Sequence, residues 1–205
     1  MNKLLVSLVL SLGVAGSAYA QAPLQGDAEA GKGKVAMCGA CHGTDGNSTS
    51  GNFPKLAGQG DRYLLKQLVD IKEGNRVVVE MTGMLDNFNE QDLADMAAYF
   101  SSNTMTGGVA DPDLAELGEK LYRGGRLETG LPACTGCHSP TGKGNEPAGF
   151  PQLAGQHAAY TVKQLTAFRE GDRTNDGDTR IMQMVAEKLS NKDIEAVANY
   201  IQGLR

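Results

Sequence analysis

The chain contains four cysteines, and all four fall in two copies of one pattern, Cys38-Gly39-Ala40-Cys41-His42 and Cys134-Thr135-Gly136-Cys137-His138. On a turn of helix, residues three and four apart share a face, so within each copy both thiols and the imidazole converge on one object. C-x-x-C-H is the attachment signature of c-type haem: the thiols bond to the porphyrin edge and the histidine lies beneath the iron. Cys38, Cys41, Cys134 and Cys137 are therefore expected to hold two haems covalently, with His42 and His138 as iron ligands. Two Cys pairs could instead bind zinc or close disulfides, but zinc ribbons space their pairs about 15 to 20 residues apart. Here 92 residues separate Cys41 from Cys134, and neither alternative explains the histidine after each pair.

The doubling extends well beyond the cysteines. Phe53-Pro54-Lys55-Leu56-Ala57-Gly58-Gln59 returns as Phe150-Pro151-Gln152-Leu153-Ala154-Gly155-Gln156. Tyr63, Lys66-Gln67-Leu68, Gly74 and Arg76 return as Tyr160, Lys163-Gln164-Leu165, Gly171 and Arg173, all at one offset of 97 residues. This register marks a tandem duplication. It divides the 205 residues into an N-terminal domain at 21–104, a Gly- and Pro-containing linker at 105–112 and a C-terminal domain at 113–205. The segments with regular apolar spacing are helical, and the repeat carries them into the second half, so the fold class is all-α. Helices are expected at Gly26 to Met37, Asp61 to Glu73, Asn89 to Ser102 and Asp113 to Arg123. Two insertions break the repeat, at Gly124 to Pro132 and Asn175 to Asp178; being polar or Gly-rich, they are expected in surface loops.

Residues 1–20 read as a cleavable secretory signal, with Lys3, an apolar run from Leu4 to Val14 and a small-x-small site at Ala18-Tyr19-Ala20. The mature chain then starts at Gln21 in an exported, periplasmic compartment. A formal net charge of -5 argues against a nucleic-acid partner, which needs concentrated positive charge. With aromatics at 5% and no Trp, a large apolar cofactor in each half helps to fill the core.

The repeat also selects a sixth ligand. Counting back from the last helix of each half, where Asp92 pairs with Asp193 and Tyr99 with Tyr200, Met81 falls opposite Met182, each seven residues before Phe88 or Leu189. A thioether suits a high-potential haem, so Met81 and Met182 are the expected axial ligands. Met84 and Met184, which lack matched partners, are second choices. Pro54 and Pro151, in the matched Phe-Pro segments, offer backbone carbonyls to orient the histidines. Arg76 and Arg173 are candidates to pair haem propionates, since guanidinium meets carboxylate in two-point geometry. His157, outside both motifs, is expected at the surface or behind the ligands.

With these residues in place, the chain resembles the dihaem cytochrome c4 family over essentially its whole mature length. The resemblance rests on both C-x-x-C-H motifs, both Phe-Pro-x-Leu-Ala-Gly-Gln segments, Tyr-Leu-Leu-Lys-Gln-Leu at 63 to 68, Glu-Met-Thr-Gly at 80 to 83 and Ser-Asn-Lys-Asp-Ile from Ser190. It implies two tandem cytochrome c-like domains about a pseudo-twofold axis, His/Met ligation, and a periplasmic carrier with loose membrane association. It further implies electron delivery from a respiratory donor complex toward a terminal oxidase, with no small-molecule substrate at the haem. The rival is a dihaem redox enzyme of peroxidase or thiosulfate-oxidising type, which needs an open iron or unusual ligation.

Overall fold

The computed structural model describes residues 24–205. The expected signal peptide at 1–20 and the start at Gln21 lie outside the described residues.

The first half contains helices α1 (Ala28–Lys32), α2 (Gly39–His42), α3 (Asp61–Lys72) and α4 (Glu90–Ser102). The second contains α5 (Pro112–Gly124), α6 (Thr135–His138), α7 (Ala158–Glu170), α8 (Ile181–Ala186) and α9 (Asn191–Gly203). Among the described residues there is no β-strand beyond the isolated bridges Arg126–Leu131 and Asn145–Phe150. No described helix is long and apolar enough to cross a membrane.

Local chemistry sets the helix starts. The Asp27 carboxylate accepts from the N–H groups of Glu29 and Ala30 at the head of α1. Asn89 and Ser190 each form a reciprocal capping box, with Asp92 and Asp193 respectively, which satisfies two N–H groups that a helix start otherwise leaves unpaired. Pro112 begins α5, where its missing N–H costs nothing, and Asp111 caps it.

Each half then closes the same way: its leading helix crosses its last helix, α1 on α4 and α5 on α9, while α3 and α7 lean on those last helices. Leu93, Met96, Ala97 and Phe100 of α4 bury against Val35, Leu64 and Leu85. In the second half, Val197 and Ile201 of α9 pack with Tyr122, Ala154 and Leu204, while Ile194 packs with Leu121, Leu131 and Leu189; Leu165 touches both groups.

Two expectations are corrected. The leading helix does not run from Gly26 to Met37; α1 ends at Lys32 and the chain turns before α2. Gly31 and Gly33 weaken a longer helix. Nor are the two insertions mere surface loops. Leu131 is 4% exposed inside the core, and Arg126 grips Asp193 with two hydrogen bonds of 2.9 and 2.6 Å. Asn175 donates to Gln67 and Asp70 of the other half at 2.9 and 2.6 Å, and Asp176 accepts from the backbone and side chain of Gln183 on α8. Polar composition conceals such anchors, because one guanidinium or one amide can tie down an otherwise hydrophilic turn.

Candidate haem centres

In each motif a single helical turn is closed by an i to i+4 bond, from His42 N–H to the Cys38 carbonyl and from His138 N–H to the Cys134 carbonyl, both 2.9 Å. This puts the first thiol and the imidazole one above the other. None of the four cysteines is disulfide-bonded. Cys38 and Cys134 pack against the apolar clusters of their halves, and burial pushes both thiols up, that of Cys134 to about 11. Among the described residues, no group of three or more His, Cys, Asp or Glu side chains is arranged to hold a bare metal ion.

Both histidines are buried, at 7% and 6% exposed. His42 Nδ1 lies 2.9 Å from the Pro54 carbonyl oxygen, and His138 Nδ1 lies 2.9 Å from that of Pro151. A carbonyl can only accept, so Nδ1 carries the proton and donates, and Nε2 keeps the lone pair that a metal requires. Burial lowers the affinity of both imidazoles for a second proton, and the carbonyl bond only partly offsets this. The ring centroids of Phe53 and Phe150 lie 6.2 and 6.1 Å from those of the His42 and His138 imidazoles. Proline suits the accepting position because it fixes φ and brings no N–H of its own to compete.

Met81 ends a 3-10 turn, Val79–Met81, and is half-buried against the same cluster that Cys38 touches. Met182 is the second residue of α8 and is also half-buried. The two occupy matched sequence positions on different backbone, the divergence following the Asn175 to Asp178 insertion. Met84 is half-buried, whereas Met184 is 55% exposed. In the first half a thiol, Cys38, and a thioether, Met81, thus pack against one apolar cluster, and a buried neutral imidazole, His42, lies one helical turn from Cys38. That donor set fits a covalently attached haem with soft axial ligation.

Arg76 and Arg173 lie where the halves meet. Arg76 donates to Gln67 of its own half at 2.8 Å and to Tyr160 and Gln164 of the other at 3.0 Å each. Arg173 mirrors it, donating to Gln164 at 2.7 Å, Tyr63 at 3.2 Å and Gln67 at 3.0 Å. Their burial is explained by this pseudo-twofold network without any propionate. His157 is likewise an interface residue: it precedes α7, and its Nε2 lies 3.0 Å from Ser48 Oγ and 2.9 Å from the Ser48 carbonyl oxygen.

Tyr63, Gln67, Tyr160 and Gln164 were unassigned by motif, as were Gln59 and Gln156. The signal for them lies in the repeat itself. Tyr and Gln four residues apart form one polar helix stripe, and its recurrence at the same offset indicates two copies of one face turned toward each other.

The cytochrome c family model matches this chain twice, over residues 28–104 and 115–205. The chain is 67% identical to cytochrome c4 of Stutzerimonas stutzeri over 213 residues and 66% identical to cytochrome c4 of Pseudomonas aeruginosa over 204, with 100% of each chain covered in both cases. A crystal structure of reduced recombinant cytochrome c4 from Pseudomonas stutzeri superposes with a TM-score of 0.87 at 69% identity, covering 88% of this chain and 100% of that one.

Proposed function

The chain belongs to the dihaem cytochrome c4 family, with two tandem cytochrome c domains that carry one covalent c-type haem each, and from that premise we propose the residues and route by which it carries electrons. It is an electron carrier, not an enzyme. The haem irons supply one-electron Fe(III)/Fe(II) chemistry when bound. The first domain spans 21–104 and the second 113–205, joined by 105–112. Cys38 and Cys41 would hold the first haem, with His42 and Met81 as its iron ligands; Cys134 and Cys137 would hold the second, with His138 and Met182.

The observation that carries this reading is the paired Nδ1 contact. In both halves the Pro54 or Pro151 carbonyl fixes the imidazole plane and leaves the Nε2 lone pair free for a metal, so the ring would need no reorganisation when the charge on a bound iron changes. The half-buried thioethers of Met81 and Met182 would supply each iron with a soft second ligand, and an iron so ligated would offer no position to a substrate. Arg76 and Arg173 hold the domains in one relative placement, and the guanidinium N–H groups not engaged by Gln, Tyr or Asn175 are the donors we assign to haem propionates. Redox proteins are the partners, namely a respiratory donor complex and a terminal oxidase, met in the periplasm with loose membrane association.

A potentiometric titration with a carbon monoxide challenge tests the whole reading. Two one-electron steps, a denatured mass two haems above the polypeptide and a ferrous form that resists carbon monoxide are expected. Rapid carbon monoxide binding at either haem would instead point to the enzyme class.

A further inference from the structure

The halves also grip each other's backbone. Gln156 Oε1 accepts from the Lys55 N–H at 2.9 Å, and Gln156 Nε2 donates to the Lys55 carbonyl at 2.9 Å. In mirror image, Gln59 Oε1 accepts from the Gln152 N–H at 2.7 Å, and Gln59 Nε2 donates to the Gln152 carbonyl at 3.0 Å. Both glutamines are buried, at 4% and 6% exposed. A glutamine amide offers one acceptor and one donor on a single plane, so it can pair both backbone groups of one residue with no charge brought into the interface.

The residue gripped is the one that follows the histidine-bonded proline. The Pro54 carbonyl and the Lys55 N–H are two ends of one planar, resonant peptide unit. A continuous path therefore runs from His42 Nδ1–H to the Pro54 carbonyl, through that peptide to the Lys55 N–H, and on to Gln156 of the other domain. The second path runs the opposite way, from His138 through the Pro151–Gln152 peptide to Gln59.

We propose that Gln156 and Gln59 are positioning residues for the proximal histidine of the opposite domain, so that each haem's reduction potential is set in part from across the interface. The inference rests on His42 and His138 being the proximal ligands, as proposed above. Its physical basis is hydrogen-bond cooperativity. An acceptor on the peptide N–H drives electron density onto the peptide oxygen, which then draws harder on the imidazole Nδ1 proton. The imidazole becomes a stronger donor through Nε2, and stronger donation favours the ferric state. Removing the far glutamine should therefore raise the potential of the haem in the other domain.

The experiment is a redox titration of the holoprotein carrying Gln156→Met, Gln59→Met or Gln156→Glu, with each midpoint assigned to its haem by the haem-methyl NMR resonances. Gln156→Met should raise the ferrous-to-ferric ratio of the first haem at fixed ambient potential about two- to fourfold, the effect of losing roughly 10–30% of one bond's strength. At about 59 mV per tenfold, that is an upward shift of about 18 to 36 mV. The second haem should not move, and Gln59→Met should give the reverse pattern. Gln156→Glu puts a stronger acceptor on the Lys55 N–H, so it should lower the potential of the first haem and move it further than that of the second. A shift confined to the haem of the mutated domain, an equal shift at both haems in any variant, or a rise of the first haem in Gln156→Glu overturns the proposal. Should the Met variants not load haem, the Glu variant alone decides. Failure of the ligand assignment shows separately, as a wild-type spectrum without His/Met low-spin character.

Discussion

Gly31 lies directly against Asp95: a Cβ on Gly31 would stand 2.0 Å from the Asp95 carbonyl oxygen. Gly118 repeats the relationship in the second domain, where a Cβ would stand 2.2 Å from the Ala196 carbonyl oxygen and 2.6 Å from the Tyr200 Cβ. The leading helix of each domain therefore meets the last helix with backbone against backbone, and no side chain fits at the crossing. Gly31→Ala and Gly118→Ala should each destabilise their own domain by about 1 to 3 kcal/mol, the range for overpacking a tight contact, although alanine is the better helix former. Thermal unfolding of the holoprotein checks this, and an unchanged midpoint for either variant would show that the helices can part without cost.

Asp95 is buried beneath that crossing and carries its charge there. Its carboxylate accepts from Lys34 Nζ at 2.5 Å, from the Asp27 N–H at 2.9 Å and from Gln91 at 2.9 Å, and the Lys34 bond above all holds it down at about 2. Since the folded-state value is depressed, this contribution is present in full above the ordinary carboxylate range, around pH 4, and is lost as pH falls toward 2. Asp95→Asn should lower the stability of the first domain at neutral pH and flatten its acid dependence between about pH 4 and 2. Chemical denaturation at a series of pH values measures both. A variant as acid-labile as the parent would place the titrating group elsewhere.

The ligand assignment separates by substitution at neighbouring methionines. Met81→Leu and Met182→Leu should each open one haem, so that the ferrous protein binds one equivalent of carbon monoxide and the spectrum of that haem loses its thioether signature. Met84→Leu and Met184→Leu should leave both spectra intact. The reverse result at either haem would move the assignment by three or two residues.

Arg173, 9% exposed, is bonded to Gln164 on its own side and to Tyr63 and Gln67 across the boundary. Arg173→Met strands these polar groups in a buried interface. We expect a loss of about 2 to 4 kcal/mol in interdomain coupling. Calorimetry should then resolve two domain transitions where the parent protein unfolds in a more concerted manner; an unaltered single transition would show that the amide clasps at Lys55 and Gln152 suffice.

Much of the architecture was legible because the chain states it twice. Asn89 and Asp92 are recognisable as a capping box from residue type and spacing alone, and α4 begins where they place it. The helix expected at Asp61 to Glu73 could be read in the same way, and α3 occupies it. What escaped detection depends on partners distant in sequence. Arg76 and Arg173 look the same whether they face a propionate, solvent or a tyrosine, because guanidinium chemistry satisfies all three. His157 has no counterpart in the first half, and only the docking of Ser48 gives it a role. Leu131 sits in a Gly-rich insertion whose composition describes the turn and not the one residue that anchors it.

By itself, the sequence determined the covalent chemistry: two thiol pairs, two histidines and an internal alignment that isolates Met81 and Met182, because these depend on spacing within one turn of helix or on counting along one chain. Only the tertiary structure decided how the domains face each other, since that depends on Gln59 meeting Gln152 and Gln156 meeting Lys55, contacts spanning 93 and 101 residues. The peptide that orients each histidine proves to be the same peptide that the opposite domain holds. No periodicity along the chain encodes that coincidence; it arises only when two copies of one segment are packed against each other about a twofold axis.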